Sequence, residues 1–286
     1  MEVSVIVSCN NLWTLTVQCL MHLSHNFDDY PFELIVIDNG SIDDTYCQLQ
    51  RFRALNQFLP LTSISLPSRV GPSKCWNAGI KQSKGKYIAI VGNDVIVPNH
   101  YLKRLTEKLA SDSNLGVISA TEFQQHPFML KEMYDMMGMP RQLCQPLFEQ
   151  MYSDKDYGRM SEMLLKGYVD FDKWNDEWYN KFKNWETEHV SASSWIIKKE
   201  VMEKLKLVDK FGENGLFDER YEVHREDSDF THRVENLAGY KSRASGTVFV
   251  HHFGSLTVKQ FESEMEGHVK KSTERFVQKW GYVPTK

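Results

Sequence analysis

The feature that most constrains this chain is a strand–helix alternation running through its first third. Val3 to Ser8 (VSVIVS) is a short β-rich run, after which Asn10 or Asn11 can cap a helix with Leu12, Leu15, Cys19 and Leu23 on its apolar stripe. Glu33 to Asp38 (ELIVID) repeats the strand pattern and ends in the turn Asn39-Gly40-Ser41. Asp43 or Asp44 then caps a second helix through Leu49, Phe52 and Leu55. Thr62 to Leu66 is a weaker third strand; Pro72 opens a helix that Gly85 closes. Tyr87 to Val91 (YIAIV) runs directly into Gly92-Asn93-Asp94. Such an order predicts an α/β fold with a mostly parallel sheet and helices on both faces. Ligands of such sheets bind beyond the carboxyl ends of the strands, where Asp38 and Asp94 both fall.

From Glu122 to His189 the texture changes to Met, Tyr, Trp and Phe with interleaved charges, which reads as a helical insert too aromatic for disorder. Trp174, Trp178 and Trp185 there either stack on flat ligand surfaces or pack the insert's own core. The sheet resumes at Ser193 to Lys198 and closes with Thr247 to Val250. A terminal helix from Lys259 to Trp280 carries Phe261, Met265, Val269 and Phe276 on one side. Four segments follow: 1–121, 122–189, 190–256 and 257–286.

A net charge of -4 argues against a globally basic nucleic-acid binder. The five cysteines, Cys9, Cys19, Cys47, Cys75 and Cys144, show no paired spacing and read as reduced thiols of a cytoplasmic protein. The start has no basic region before an apolar core, so no signal peptide is expected, and no apolar run approaches a membrane span of roughly 20 residues. Peripheral contact with the inner face of a membrane stays open.

Four groups carry candidate chemistry. Asp94, just past a buried strand, is placed either to hold a cation in a cleft or to make turn hydrogen bonds. Asp38 can accept hydrogen bonds from a base imide or a ribose hydroxyl, and Gly40 would let the backbone approach a ligand; the alternative is a turn that merely starts a helix. Glu226, Asp227 and Asp229 cluster ahead of a helix ending near Gly239. Crowded carboxylates raise the proton affinity of one member, as a general base requires, but they also stabilise a helix N-terminus. His251 and His252 follow a strand, and only one of two adjacent side chains there can face a given site. Taken together, the groups fit sugar transfer from a nucleotide diphosphate, which needs a base and ribose pocket, a cation for the leaving group and a base for the acceptor hydroxyl.

With those segments in place, the sequence resembles the family 2 glycosyltransferases of the GT-A fold, especially the branch of rhamnosyl- and related polysaccharide sugar transferases. VSVIVSCNN looks like the opening strand and nucleotide loop, and IDNGSIDDT like the base-binding turn. GPSKCWNAGIKQSKGKYIAIVGNDVIVP is similar to the segment leading into the metal-binding motif. FDERYEVHREDSDFTHRVENLAGYK resembles the acidic acceptor-side motif, and VFVHHFGS the closing histidine motif. The resemblance implies a Rossmann-like GT-A domain with an inserted helical subdomain. It implies Ser8 and Asn10 in the donor pocket, Asp38 on the base within the Asp38-Asn39-Gly40-Ser41 turn, and Asn77 and Gly79 in the helix beside the diphosphate. Asn93 takes the middle and Asp94 the last place of the D-x-D element, while its first acid is replaced by Gly92. Asp227 matches the general base, with Glu226 beside it, and His251 ahead of His252 is the expected metal ligand. Mn2+ or Mg2+ is the implied cofactor.

The implied reaction is inversion by single displacement from a UDP- or dTDP-sugar. A glycan or lipid-linked glycan is the expected acceptor, with a modified DNA base or a protein side chain as other possibilities. The competing reading is a catalytically silent nucleotide-sugar-binding or scaffold protein, favoured by Gly92 and opposed by the intact Glu226-Asp227 pair. A sugar-1-phosphate nucleotidyltransferase would need a basic, glycine-rich phosphate loop after the first strand, and none is present.

Overall fold

The computed structural model describes residues 1–122, 136, 170–188, 190–254 and 262–282. The alternation read from the sequence folds as β1 (Val3–Cys9), α1 (Trp13–His25), β2 (Phe32–Asp38), α2 (Thr45–Leu55), β3 (Leu61–Ser65), α3 (Pro72–Gln82) and β4 (Tyr87–Gly92). A two-residue strand β5 (Val95–Ile96), helix α4 (Tyr101–Ser111) and β6 (Leu115–Thr121) follow. Within the aromatic segment come α5 (Phe171–Phe182) and β7 (Glu186–Thr187), and after it β8 (Ser194–Lys198), α6 (Lys199–Val208) and α7 (Glu226–Asn236). The chain then forms β9 (Lys241–Phe249), β10 (His251–His252) and α8 (Glu262–Trp280).

Eight strands form one sheet in the order β3-β2-β1-β4-β8-β6-β9-β7. β1 pairs in parallel with both β2 and β4, and β6 with β9, while β8 runs antiparallel between β4 and β6. The strand sequences read as near-continuous apolar runs because both faces are covered. Val5, Val7, Val36, Ala89 and Val91 face one core with α1, α2 and α4; Ile6, Ile35, Ile37, Ile88 and Ile90 face the other with α3, α6 and α7. Neither asparagine caps α1. Leu12 precedes the helix in the left-handed region, and the Asn11 side chain instead accepts the Ile42 N–H at 2.9 Å, tying the first strand's exit to the turn after β2.

The aromatic segment, where described, belongs to this sheet. β7 adds to its edge beside β9, and Trp174 and Trp178 of α5 pack on Phe249 of β9 with ring centroids 5.1 and 5.0 Å apart. Neither ring is free to stack on a ligand, since Trp178 is fully buried and Trp174 is 6% exposed. The rest of the segment expected as an insert, 123–169 apart from residue 136, lies outside the described residues. β9 bulges where it passes α5: Ala120 pairs with Ser245 but Thr121 with Phe249. The bulge carries the chain past the sheet and delivers β10 to β5.

Helix α8, expected from Lys259 and present from Glu262, docks on α7 through buried ions. Lys279 Nζ lies 3.0 Å from Glu213, 3.3 Å from Asp218 and 3.0 Å from Asp229. Asp229 also accepts hydrogen bonds from Trp280 Nε1 at 2.9 Å and from Arg233 Nε at 3.0 Å. Removing the lysine leaves Glu213, Asp218 and Asp229 buried with one cation fewer among them. Lys279→Ala should therefore cost about 3–5 kcal/mol in chemical denaturation. A loss below about 1 kcal/mol would show that α8 is held by its apolar face alone.

Candidate functional site

Three loops lie along the carboxyl edge of the parallel strands. The first follows β1 and β2. Ser8, half-buried at the end of β1, sits in register with Ile37 on one side and Gly92 on the other, so it bridges the β2 turn and the Asp94 turn. Asn10 donates Nδ2–H to the Asn39 carbonyl at 2.8 Å, and its own Oδ1 is buried with no hydrogen-bond partner among the described residues. An acceptor left in that state is a place for a donor to arrive. Asp38 receives the Ser41 N–H on Oδ1 at 3.1 Å, and Ser65 Oγ lies 3.4 Å from Oδ2.

Several residues expected at the donor site hold the protein's own chain. Asn39 clasps the backbone of Val70 with both ends of its amide, at 2.9 and 2.8 Å, and Ser41 Oγ accepts the Asn11 N–H at 2.8 Å. Gly40 has φ 66, and a Cβ there would strike the Ser68–Arg69 backbone at 2.4–2.5 Å; its approach is to its own chain. Asn77 holds the acidic loop, donating to Phe217 O at 2.9 Å and Glu219 Oε1 at 3.0 Å while accepting the Phe217 N–H at 3.0 Å. Gly79 lies against Ile6 and Ile37, where a Cβ would come within 2.7 Å of the Ile6 side chain, so it seats α3 on the sheet. Asn93 donates to Thr16 Oγ1 at 3.0 Å.

The second loop carries Asp94. β5 pairs antiparallel with β10, placing His252 opposite Val95 and His251 opposite Ile96. His252 Nε2 stands 3.5 Å from Asp94 Oδ1, whereas the His251 ring turns away against Phe253 at 4.9 Å. The histidine beside the carboxylate is thus His252, not the one the resemblance puts first, because adjacent strand residues point to opposite faces. Burial, reinforced by the neighbouring His252, pushes His251 down to about 3, so it is neutral. Burial also disfavours charge on His252, but the Glu122 and Asp94 carboxylates outweigh it and raise its pKa well above the ordinary value. The Gly92 departure has a local counterpart: a Cβ at 92 would lie 2.9 Å from Asp94 Oδ1, so the Asp94 carboxylate itself fills the space beside position 92.

Glu122 was not singled out in the sequence. Its Oε2 lies 2.6 Å from His252 Nδ1, and it accepts Ser191 Oγ–H at 2.8 Å and Ser193 Oγ–H at 2.9 Å. Burial raises its proton affinity, yet His252 and the two serines bring its pKa below the usual carboxylate value. Its only sequence signal is its place at a strand end: it directly follows β6, as Asp38 closes β2.

Asp94 and His252 suit a divalent cation. Two ligands about 2.1 Å from one ion at right angles lie about 3 Å apart, close to the 3.5 Å between these donors. A histidine whose other nitrogen meets a carboxylate is also the usual outer support of a metal-ligating imidazole. Only two protein donors meet there; among the described residues no group of three or more His, Cys, Asp or Glu side chains could hold an ion. The remaining ligands would have to come from substrate and water.

The third loop brings the acid pair. α7 precedes β9, which is parallel to β6, so the start of α7 lies at the carboxyl edge. That edge is continuous with the first loop, since a Cβ on Gly71, beside the Val70 that Asn39 grips, would lie 2.7 Å from Glu222 O. His224 and Arg225, at φ 61 and 70, form a strained pair just ahead of Glu226 and Asp227. Asp227 is half-buried and accepts the Ser228 N–H at 2.6 Å, whereas Glu226 is buried and its Oε2 has no hydrogen-bond partner among the described residues. Burial, then the neighbouring Asp227, raises Glu226 to about 8, so it is protonated at neutral pH.

Because the native state keeps this proton from the ordinary value of 4.5 up to about 8 while the unfolded chain releases it, the contribution of Glu226 to stability falls as pH rises through that interval. Glu226→Gln, uncharged in both states, should match the wild type below that range and be more stable by at least about 1 kcal/mol at pH 8. Denaturation curves at pH 4 and 8 check this; a variant that tracks the wild type at both would contradict the neutral state.

Comparison with known proteins completes the picture. Residues 4–206 match the model of glycosyl transferase family 2. An uncharacterized glycosyltransferase of Rickettsia bellii is 29% identical over 136 residues, covering 43% of this chain and 17% of that protein. Glycosyltransferase GlyG of Streptococcus pneumoniae is 29% identical over 115 residues, covering 37% of this chain and 35% of its own. The chain therefore spans well under half the length of these curated relatives. Mannosyltransferase PcManGT from Pyrobaculum calidifontis, solved in complex with GDP-Man and Mn2+, superposes with a TM-score of 0.62 at 17% identity over 99% of this chain and 66% of its own. S. aureus TarS superposes with a TM-score of 0.54 at 15% identity over 95% of this chain and 65% of its own. Both share the α/β architecture with its mostly parallel sheet. The family model covers well over half of the sequence, and the chain belongs to glycosyl transferase family 2.

Proposed function

We propose that this chain catalyses inverting transfer of a sugar from a nucleotide-diphosphate donor to an acceptor hydroxyl. The observation that carries the reading is the meeting of Asp94 with His252 at the strand edge that also holds the Asp38 turn and the start of α7. The base and ribose lie against Asn10 and Asp38, and a uracil or thymine imide suits the Asp38 carboxylate. The GDP-Man, UDP and UDP-GlcNAc complexes of the structural neighbours support the donor class.

Asp94 and His252 would hold Mn2+ or Mg2+, and the Mn2+ of PcManGT supports a divalent ion. When bound, such an ion neutralises charge on the diphosphate leaving group. Asp227 is the general base. It takes the proton of the acceptor hydroxyl as that oxygen bonds to the anomeric carbon, and the bond from that carbon to the diphosphate oxygen breaks with its electron pair. Glu226, kept neutral by burial, adds no second negative charge beside Asp227. Attack opposite the leaving group inverts the anomeric centre.

We take the acceptor to be a glycan or lipid-linked glycan and the setting to be the cytoplasm, at the inner face of a membrane where the acceptor is lipid-linked. The free thiols of Cys9, Cys19, Cys47 and Cys75 support a reducing compartment. Among the described residues no helix is long and apolar enough to cross a membrane.

Asp227→Asn should lower transfer by at least about 100-fold while donor affinity, measured by calorimetry, stays within about twofold. Wild-type turnover in this variant would remove Asp227 from the base role. Asp94→Ala should make donor titrations with and without Mn2+ coincide; a metal-dependent difference equal to that of the wild type would place the cation elsewhere.

A further inference from the structure

We infer that Glu122 is a positioning residue that fixes the His252 imidazole with Nε2 directed at Asp94, and that Ser191 and Ser193 hold Glu122 in that role. The inference rests on the assignment of Asp94 and His252 to the cation.

Val250 donates its N–H to Thr121 O at 2.9 Å, and Thr121 Oγ1 donates to Val248 O at 2.9 Å. These two bonds set the end of β6 beside the approach to β10, so the residue after Thr121 must lie next to the histidine pair. That residue is a buried glutamate, 3% exposed. A carboxylate in such a place is costly unless its oxygens are met, and here both are: Oε1 by Ser191, Oε2 by Ser193 and by His252 Nδ1.

An imidazole can flip or rotate about its Cβ–Cγ bond, which would exchange or misdirect its two nitrogens. The ion-pair contact of Nδ1 with Glu122, at 2.6 Å, leaves Nε2 as the nitrogen that faces Asp94. The anchor is itself tied to the Asp94 turn, because Gly92 donates its N–H to Ser193 O at 2.8 Å. One serine loop therefore sets both the histidine's support and the first residue of the Gly92-Asn93-Asp94 turn. A glutamate serving only to solvate itself would need the serines but not the histidine.

The test is Mn2+ binding to the full-length protein in the presence of UDP, followed by the electron paramagnetic resonance of free Mn2+. Thermal melts check folding. Glu122→Ala should weaken Mn2+ binding about 10- to 100-fold. Glu122→Gln, which keeps an acceptor oxygen, should fall between Glu122→Ala and the wild type, and Ser193→Ala should weaken binding about 2- to 5-fold. In transfer assays the loss should sit in the Mn2+ concentration needed for half-maximal rate, with kcat at saturating Mn2+ restored to within about twofold.

Wild-type Mn2+ affinity in Glu122→Gln and Ser193→Ala, with His252→Ala defective, would overturn the positioning role and leave the cation assignment standing. Should Glu122→Ala fail to fold, those two milder variants decide the matter. Wild-type affinity in His252→Ala and Asp94→Ala would instead overturn the cation assignment and the positioning role with it.

Discussion

The site depends on one short antiparallel contact, the pairing of β5 with β10. Two residue pairs set its register, and that register alone decides which histidine stands beside Asp94. A slip of one residue would turn His252 into the core and bring His251 out, since side chains alternate along a strand. Three features hold the register. The bulge in β9 supplies the extra residues that carry the strand to β5, the Thr121–Val250 bond fixes where β10 begins, and Phe253 N–H donates to Asp94 O at 2.9 Å. The chemistry at Asp94 is therefore specified by backbone hydrogen bonds some distance from it along the chain.

A second constraint orders the acidic motif. Asp229, two residues beyond the proposed base, is fully buried among Arg233, Lys279 and Trp280. Buried ions of this kind are weak sources of net stability, because desolvation offsets most of the attraction. Their geometric demands are strict, however, and here they fix α7 against α8. The acidic motif thus divides its labour: Asp229 anchors the helix, Glu226 is buried and neutral, and Asp227 remains half-open at the first turn.

The alternation of β1 to β4 with their helices was legible because each strand is an apolar run bounded by turn or capping residues, and periodicity reports that directly. The ends of strands β2 and β4 were equally plain, which is why Asp38 and Asp94 stood out. The structural partners of Asn39, Asn77 and Gly79 were hidden in the sequence for a common reason. Each lies in a matching motif, yet its side chain, or lack of one, meets residues distant in sequence, such as Val70, Phe217 or Ile6. Glu122 escaped notice because its partners Ser191, Ser193 and His252 come together only through sheet pairing. The tryptophans of α5 lacked a visible partner until the β9 bulge placed Phe249 beneath them.

Membership of family 2 and the edge-on arrangement of the three loops agree with a transferase in which binding and bond exchange share one cleft. The central claim is that Asp94 and His252 together take the cation of the donor diphosphate. Electron spin echo envelope modulation of Mn2+ bound with nucleoside diphosphate tests it most directly, because it detects nitrogen coordinated to the ion. The account predicts modulation from a single imidazole nitrogen, lost in His252→Ala and kept in His251→Ala. An ion with no nitrogen ligand, or modulation that disappears with His251 instead, would contradict it.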